Sequence, residues 1–433
     1  MACCGLLVLF CSEKVYGQIN YSAAGTQRGG FQPLPADAAG IHAVQFSVAG
    51  NQMAYAIIDL GQSQGLELDF DDFDPRPKVY NYTFLLCDEH WQPVLLSAFD
   101  YLKGFNQARI TDYKYSSVAR TKYLHYKAVL PNSQCMPIKS GNYLLKVFLE
   151  GDTSRLAFER RMLVVDPKVS IAATVGQPAD FARSAEFQKV QLSIDVSRLH
   201  VQNPLQQVKV VVLQNERWDN AVHHLQPAFM RGSIYEYNAE RDLLFESGKE
   251  YRWVDLQSFR FQSERIAGVR IADSAVPYQV EVKTDISRQS VQYMPYADYN
   301  GFFKIASSEH INPWWQGDYG WVRFSYRPQD GQPLVGKQLY ILGQMNGYRY
   351  DGNSLMQFDP AKGLYEKTLL LKQGFYSYLY ATKSIDGQSS VEIKSTEGNY
   401  WETENDYTIL VYYQSYSDRA PQLVGCTTIN SRK

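Results

Sequence analysis

The stretch Ser140–Val165, SGNYLLKVFLEGDTSRLAFERRMLVV, reads as a β-hairpin, because apolar and polar residues alternate along it with a period of two. Tyr143, Leu145, Val147 and Leu149 share one face of the outgoing strand, and Leu156, Phe158, Met162 and Val164 share one face of the return. Gly151, Asp152, Thr153 and Ser154 have the chemistry of a turn. The same alternation recurs near the C-terminus, where Tyr407, Ile409, Val411 and Tyr413 interleave with Thr408, Leu410, Tyr412 and Gln414. The chain is therefore expected to be all-β, and its function is to be sought in surfaces and loops before pockets.

Working outward from the hairpin, short strands separated by turn signals predict tandem antiparallel β-sandwich domains. Aromatic residues make up 14% of the chain, which suits half-buried pleated surfaces, and 45% hydrophobic content suffices for packed cores. At 433 residues the chain exceeds what one core organises. Punctuation at Val165-Asp166-Pro167 and at Pro295–Gly301, PYADYNG, predicts three units: residues 18–166, 167–294 and 295–433. The segment Pro93–Phe105 is expected to be a short helix or an ordered excursion.

Residues 1–17, MACCGLLVLFCSEKVYG, are similar to a secretory signal, with an apolar core from Gly5 to Cys11 and small or modest Val15 and Gly17 before a cut at Gln18. The segment lacks the usual positively charged start. Removing it leaves Cys87, Cys135 and Cys426, an odd number that cannot all pair. Cys87 ends the apolar run VYNYTFLLC and reads as a small buried hydrophobe, with a Cys87–Cys135 disulfide as the lesser alternative. No CxxC pair remains for structural zinc, and no run approaches the length of a membrane helix. A net charge of −2 provides no field that would concentrate nucleic acid or anionic lipid.

Chemistry-bearing motifs are sparse. The acidic run LDFDDFDP places Asp69, Asp71, Asp72 and Asp74 together, as calcium ligands would be, but without the glycine and distal glutamate of an EF-hand; it reads as a solvated strand-to-turn junction. His223 and His224 are adjacent, so an extended strand would send them to opposite faces, away from a shared metal. Asp88, Glu89 and His90 could serve acid–base chemistry, but no nucleophile elbow or phosphate-binding glycine loop accompanies them. The expectation is therefore a protein that is not an enzyme, with no catalytic residue, cofactor or metal. Glu216 to Asn220 carry Arg217, Trp218 and Asp219, a candidate partner-contact loop because Arg and Trp are enriched at interface hot spots. The competing reading is internal: Trp218 packs on its own sandwich and Arg217 pairs with a local acid.

Seven blocks in order, LLCDEHWQP (85–93), YLKGF (101–105), SGNYLLKVF (140–148), VVLQNERWDNA (211–221), GKEYRWVDLQS (248–258), LKQGFYSYLY (371–380) and EGNYWETENDYTILVYY (397–413), together resemble the plug protein family of the type 9 secretion system. The resemblance runs from about Tyr21 to the end; GKEYRWVD departs from the family's more usual Asn-Glu-Phe-Arg type of sequence. It implies a periplasmic protein of Bacteroidetes, built of immunoglobulin-like β-sandwiches, that associates with the outer-membrane β-barrel translocon and seals its periplasmic side. Leu339–Tyr380 also looks like early-set domains related to glycogen-binding modules, so the alternative is a periplasmic or surface glycan-binding module using Tyr348 and Tyr350 as exposed stacking rings.

Overall fold

In a computed structural model, which describes residues 26–62, 65–271, 277–386 and 391–432, the hairpin pairs Gly141–Leu149 with Leu156–Val165, with a bulge beside Phe148. Its turn closes through Asp152, whose carboxylate accepts hydrogen bonds from the Ser154 backbone N–H and hydroxyl. The segment expected to be a signal and its cysteines lie outside the described residues. Among the described residues, no helix is long and apolar enough to cross a membrane.

The hairpin sits in a five-stranded sheet with Ile57–Asp59, Tyr80–Cys87 and Ala108–Ile110. That sheet closes over the four-stranded sheet of Ile41–Val48, Leu66–Asp72, Leu124–Leu130 and Asp112–Tyr115. Leu66, Leu68, Phe70, Tyr126, Leu145, Val147 and Phe158 fill the core between them. A second sandwich sets Ser170–Gly176, Phe187–Asp195 and Ile234–Tyr237 against Arg217–His223, Val208–Gln214, Asp406–Tyr413 and Gln422–Asn430. Its core joins Val190, Leu192 and Val210 to Tyr407, Ile409 and Val411. A third pairs Arg252–Asp255 and Phe303–Ile305 with Gly374–Ser384, facing a sheet built around Tyr319–Arg327 and Leu364–Lys372. The all-β sandwich class read from the sequence is the one observed; short parallel additions, such as Ile57–Asp59 beside Leu163–Val165, decorate mostly antiparallel sheets.

Strand pairing does not follow the expected division at residue 295. Asp406–Tyr413, assigned by sequence to the last unit, pairs along its length with Val208–Gln214, while Arg252–Asp255, assigned to the middle unit, pairs with Gly374–Ser384. The segment Pro295–Gly301, read as a linker, is tied down: Asp298 accepts hydrogen bonds from the backbone N–H of Tyr251 and Asn300. The middle sandwich is thus assembled from two separated stretches, with the third inserted between them.

A further apolar cluster lies between the first two sandwiches, where Leu144, Leu163 and Val165 meet Val211, Leu213, Leu410, Tyr412 and Leu423. Cys87, read as a buried hydrophobe, belongs to this cluster, whereas Cys135 lies in the first core; both are free thiols, so the disulfide alternative does not form.

Candidate functional site

The three sandwiches meet around a cleft of about 600 Å³, lined by Ile41–Ser47 and Arg161 of the first, Trp218 and Asp219 of the second, and Tyr348 to Tyr350 of the third. Asn215 and Glu216 both have positive φ, 52° and 58°, and form the two-residue turn that leads into Arg217–His223. The strand then delivers the three residues considered as a contact loop to the junction. Arg217 grips Asp219 with two parallel hydrogen bonds of 3.1 and 2.7 Å and lies over the Tyr348 ring. Trp218 donates its indole N–H to the Tyr55 hydroxyl at 2.8 Å and meets Trp91 edge-on, with Arg161 near both indoles. At 6% exposure each, Arg217 and Trp218 act within the molecule.

Asp219 also accepts the hydroxyl of Tyr350 at 3.0 Å, and the Tyr348 hydroxyl donates to that of Tyr251. Tyr348 is buried and Tyr350 half-buried, so neither presents the open ring that the glycan-binding alternative needs.

The acidic run is a buried network rather than a solvated junction. Asp69, Asp71 and Asp72 are all buried, because cations and hydroxyls from other strands reach them. His125 bridges Asp69 and Asp71 through its two ring nitrogens at 3.0 and 2.9 Å. Lys372, from the third sandwich, pairs with Asp71, which also accepts the Tyr319 hydroxyl; Tyr80 and Lys78 satisfy Asp72. Burial raises the Asp71 carboxyl, but Lys372 and His125 outweigh it and hold the group below the usual range. The sequence reading missed Lys372, whose only signal was a lysine closing the apolar run LLLK.

His223 and His224 are likewise corrected. His224 has φ of +55°, which ends strand alternation and turns its ring back toward His223, with centroids 4.6 Å apart. His90 joins them from the first sandwich, stacking on His224 at 5.1 Å. Asp88 shapes that loop by accepting the backbone N–H of His90 and Gln92, while Glu89 is buried and paired with Lys209. Phe31 lies edge-on to His223 and stacked on His90.

The free surface of the first sandwich carries another feature. The excursion expected over Pro93–Phe105 forms a single 3-10 turn at Ala98–Asp100 and a short strand, Leu102–Gly104, paired with Cys135–Pro137. Gly104 has φ of +95°, and a Cβ there would lie 2.5 Å from the Gln134 carbonyl oxygen, so only glycine fits. The excursion holds Leu95, Phe99 and Phe105 out at 94%, 74% and 68% exposure; Ile138, whose backbone N–H donates to the Tyr101 carbonyl, is exposed as well. Three large apolar side chains are thus exposed on one short ordered segment.

A family model of the type 9 secretion system plug protein 1st domain matches residues 41–166, the span of the first sandwich. The crystal structure of a hypothetical protein from Parabacteroides merdae is similar over 92% of this chain and 99% of that one, at 30% identity and a TM-score of 0.88. No curated protein matches the chain.

Proposed function

This chain belongs to the type 9 secretion system plug protein family, and from that premise we propose that it binds and seals the periplasmic end of the outer-membrane β-barrel translocon without turning over a substrate. The observation that carries the reading is the family match over a complete sandwich whose ordered excursion displays Leu95, Phe99 and Phe105. A wide pore leaks unless a stiff body occupies it, and three sandwiches joined by buried side chains supply stiffness with no cofactor. The excursion, and not Arg217, Trp218 and Asp219, is the contact surface in this reading. Stable interfaces bury roughly 1,200–2,000 Å² and depend on a few central anchors. Phe99 and Phe105 are suited to that role.

The test is co-purification of the barrel from outer membranes of the native host after crosslinking. Wild-type protein should recover the barrel, and a Phe99→Ser/Phe105→Ser variant should recover at least tenfold less while unfolding at the same denaturant concentration, since both rings are exposed. Deleting the gene should admit molecules that the outer membrane normally excludes. A deletion strain with an intact barrier, together with no barrel recovered by the wild type, would overturn the reading.

A further inference from the structure

One ring nitrogen each of His90, His223 and His224 lies within 4.8 Å of the other two. We propose that these three imidazoles bind a divalent transition-metal cation of the zinc type, and that the ion staples the 88–92 loop of the first sandwich to the strand end of the second.

The strongest support is His223. It is 6% exposed; its Nε2–H donates to the Gly29 carbonyl at 2.9 Å, and its Nδ1 has no hydrogen-bond partner. The carbonyl fixes the tautomer, so Nδ1 carries a free lone pair in a buried setting. A backbone carbonyl holding the far nitrogen is the usual outer support of a metal-binding histidine. A metal at Nδ1 would satisfy an atom that is otherwise costly to bury.

The remaining features suit the same occupant. Three imidazoles select zinc, copper or nickel over calcium or magnesium, which take oxygen ligands. Zinc–nitrogen bonds of about 2.0–2.1 Å in a tetrahedron place ligand nitrogens roughly 3.4 Å apart. Exposed His224 and half-buried His90 can draw in by that difference through side-chain rotation. Glu89, which also pairs with Lys209, lies 3.5 Å from His90 Nε2. Phe31 walls the site against His90 and His223. With three protein ligands, one coordination position remains for water.

The experiment uses the full chain without an affinity tag, stripped of metal. Zinc is titrated against a chromophoric chelator, and cobalt is titrated separately for its visible spectrum. Wild-type protein should take up zinc in competition with the chelator. His224→Gln, at an exposed position, should bind at least tenfold more weakly, and His90→Gln/His224→Gln should lose one equivalent. His200→Gln/His310→Gln should bind as wild type does. The cobalt bands lost with the double variant should be those of nitrogen ligation, without sulfur charge transfer. Zinc should raise the melting temperature of the wild type and not of the double variant. A wild type that cannot compete with the chelator, or a double variant that retains every equivalent at unchanged affinity, would overturn the proposal.

Discussion

The side chains of Lys372 and Asp71 have no solvent-exposed surface, yet they come from different sandwiches and pair directly. Such a pair tolerates burial only because His125 and Tyr319 occupy the remaining acceptor sites of Asp71. Burial, the largest single influence on His125, pushes its imidazolium down, but hydrogen bonds to Asp69 and Asp71 together outweigh this and hold it above 6.5; Lys372 is the opposing charge, and Trp314 stacks on the ring. Asp69 stands above the ordinary carboxyl range because burial outweighs its bond to His125. Asp69 and Asp71 together keep the proton on the ring. A group raised on folding contributes stability that is complete below its unfolded pKa and disappears as pH rises through the folded one. The urea midpoint of the wild type should accordingly fall as pH rises above 6.5. His125→Gln should be destabilised by roughly 3–5 kcal/mol at pH 6, as expected for breaking a buried pair, and should lack that alkaline decline. Equal slopes in the two proteins would refute the assignment.

Among elements, the hairpin of Gly141–Leu149 and Leu156–Val165 buries both faces. Tyr143, Leu145 and Val147 enter the first core as the alternation predicts, while Leu144, Leu163 and Val165 turn to the second sandwich, where a free-standing sheet would meet water. Asn142 is buried on that side because its amide oxygen accepts the Tyr412 hydroxyl at 2.8 Å. Leu163→Ala should cost about 2–5 kcal/mol, the range for a buried leucine, although the residue lies on what a lone sandwich would make its outer face. Comparing it with Val129→Ala, an exposed position in the same unit, checks this. A loss under 0.5 kcal/mol for Leu163→Ala would mean that the two sandwiches do not pack in solution.

For the whole molecule, the return of Asp406–Tyr413 and Gln422–Asn430 to the second sandwich makes its folding depend on the chain's far end. Tyr407, Ile409 and Val411 are fully buried in that core. A chain ending at residue 294 should therefore keep a protease-resistant first sandwich and lose the second, read by limited proteolysis and near-ultraviolet circular dichroism. A protected fragment spanning residues 170–246 in that truncation would contradict the topology. The same closure holds the three sandwiches around one cleft, which suits the stiff body that the proposed plugging calls for.

Local pattern determined the strands. Alternation in SGNYLLKVF and DYTILVYY identified them because a side-chain period of two is a property of the extended backbone itself, and three of the seven blocks fall within the matched family span of residues 41–166. Partnership between strands was not legible, since Tyr407–Tyr413 has the same pattern whichever sheet receives it. Asp69 and Asp71 look solvated until His125 and Lys372 arrive from elsewhere in the chain, and Trp218 looks like an interface anchor until Tyr55 and Trp91 enclose it. His223 and His224 seem opposed until a positive φ, adopted without glycine, turns one ring back beside His90. The sequence by itself determined the strands of strong alternation, because that pattern follows from each residue and its near neighbours. Only the tertiary structure decided which faces are buried and which charges and imidazoles meet, because those depend on contacts between residues far apart in the chain.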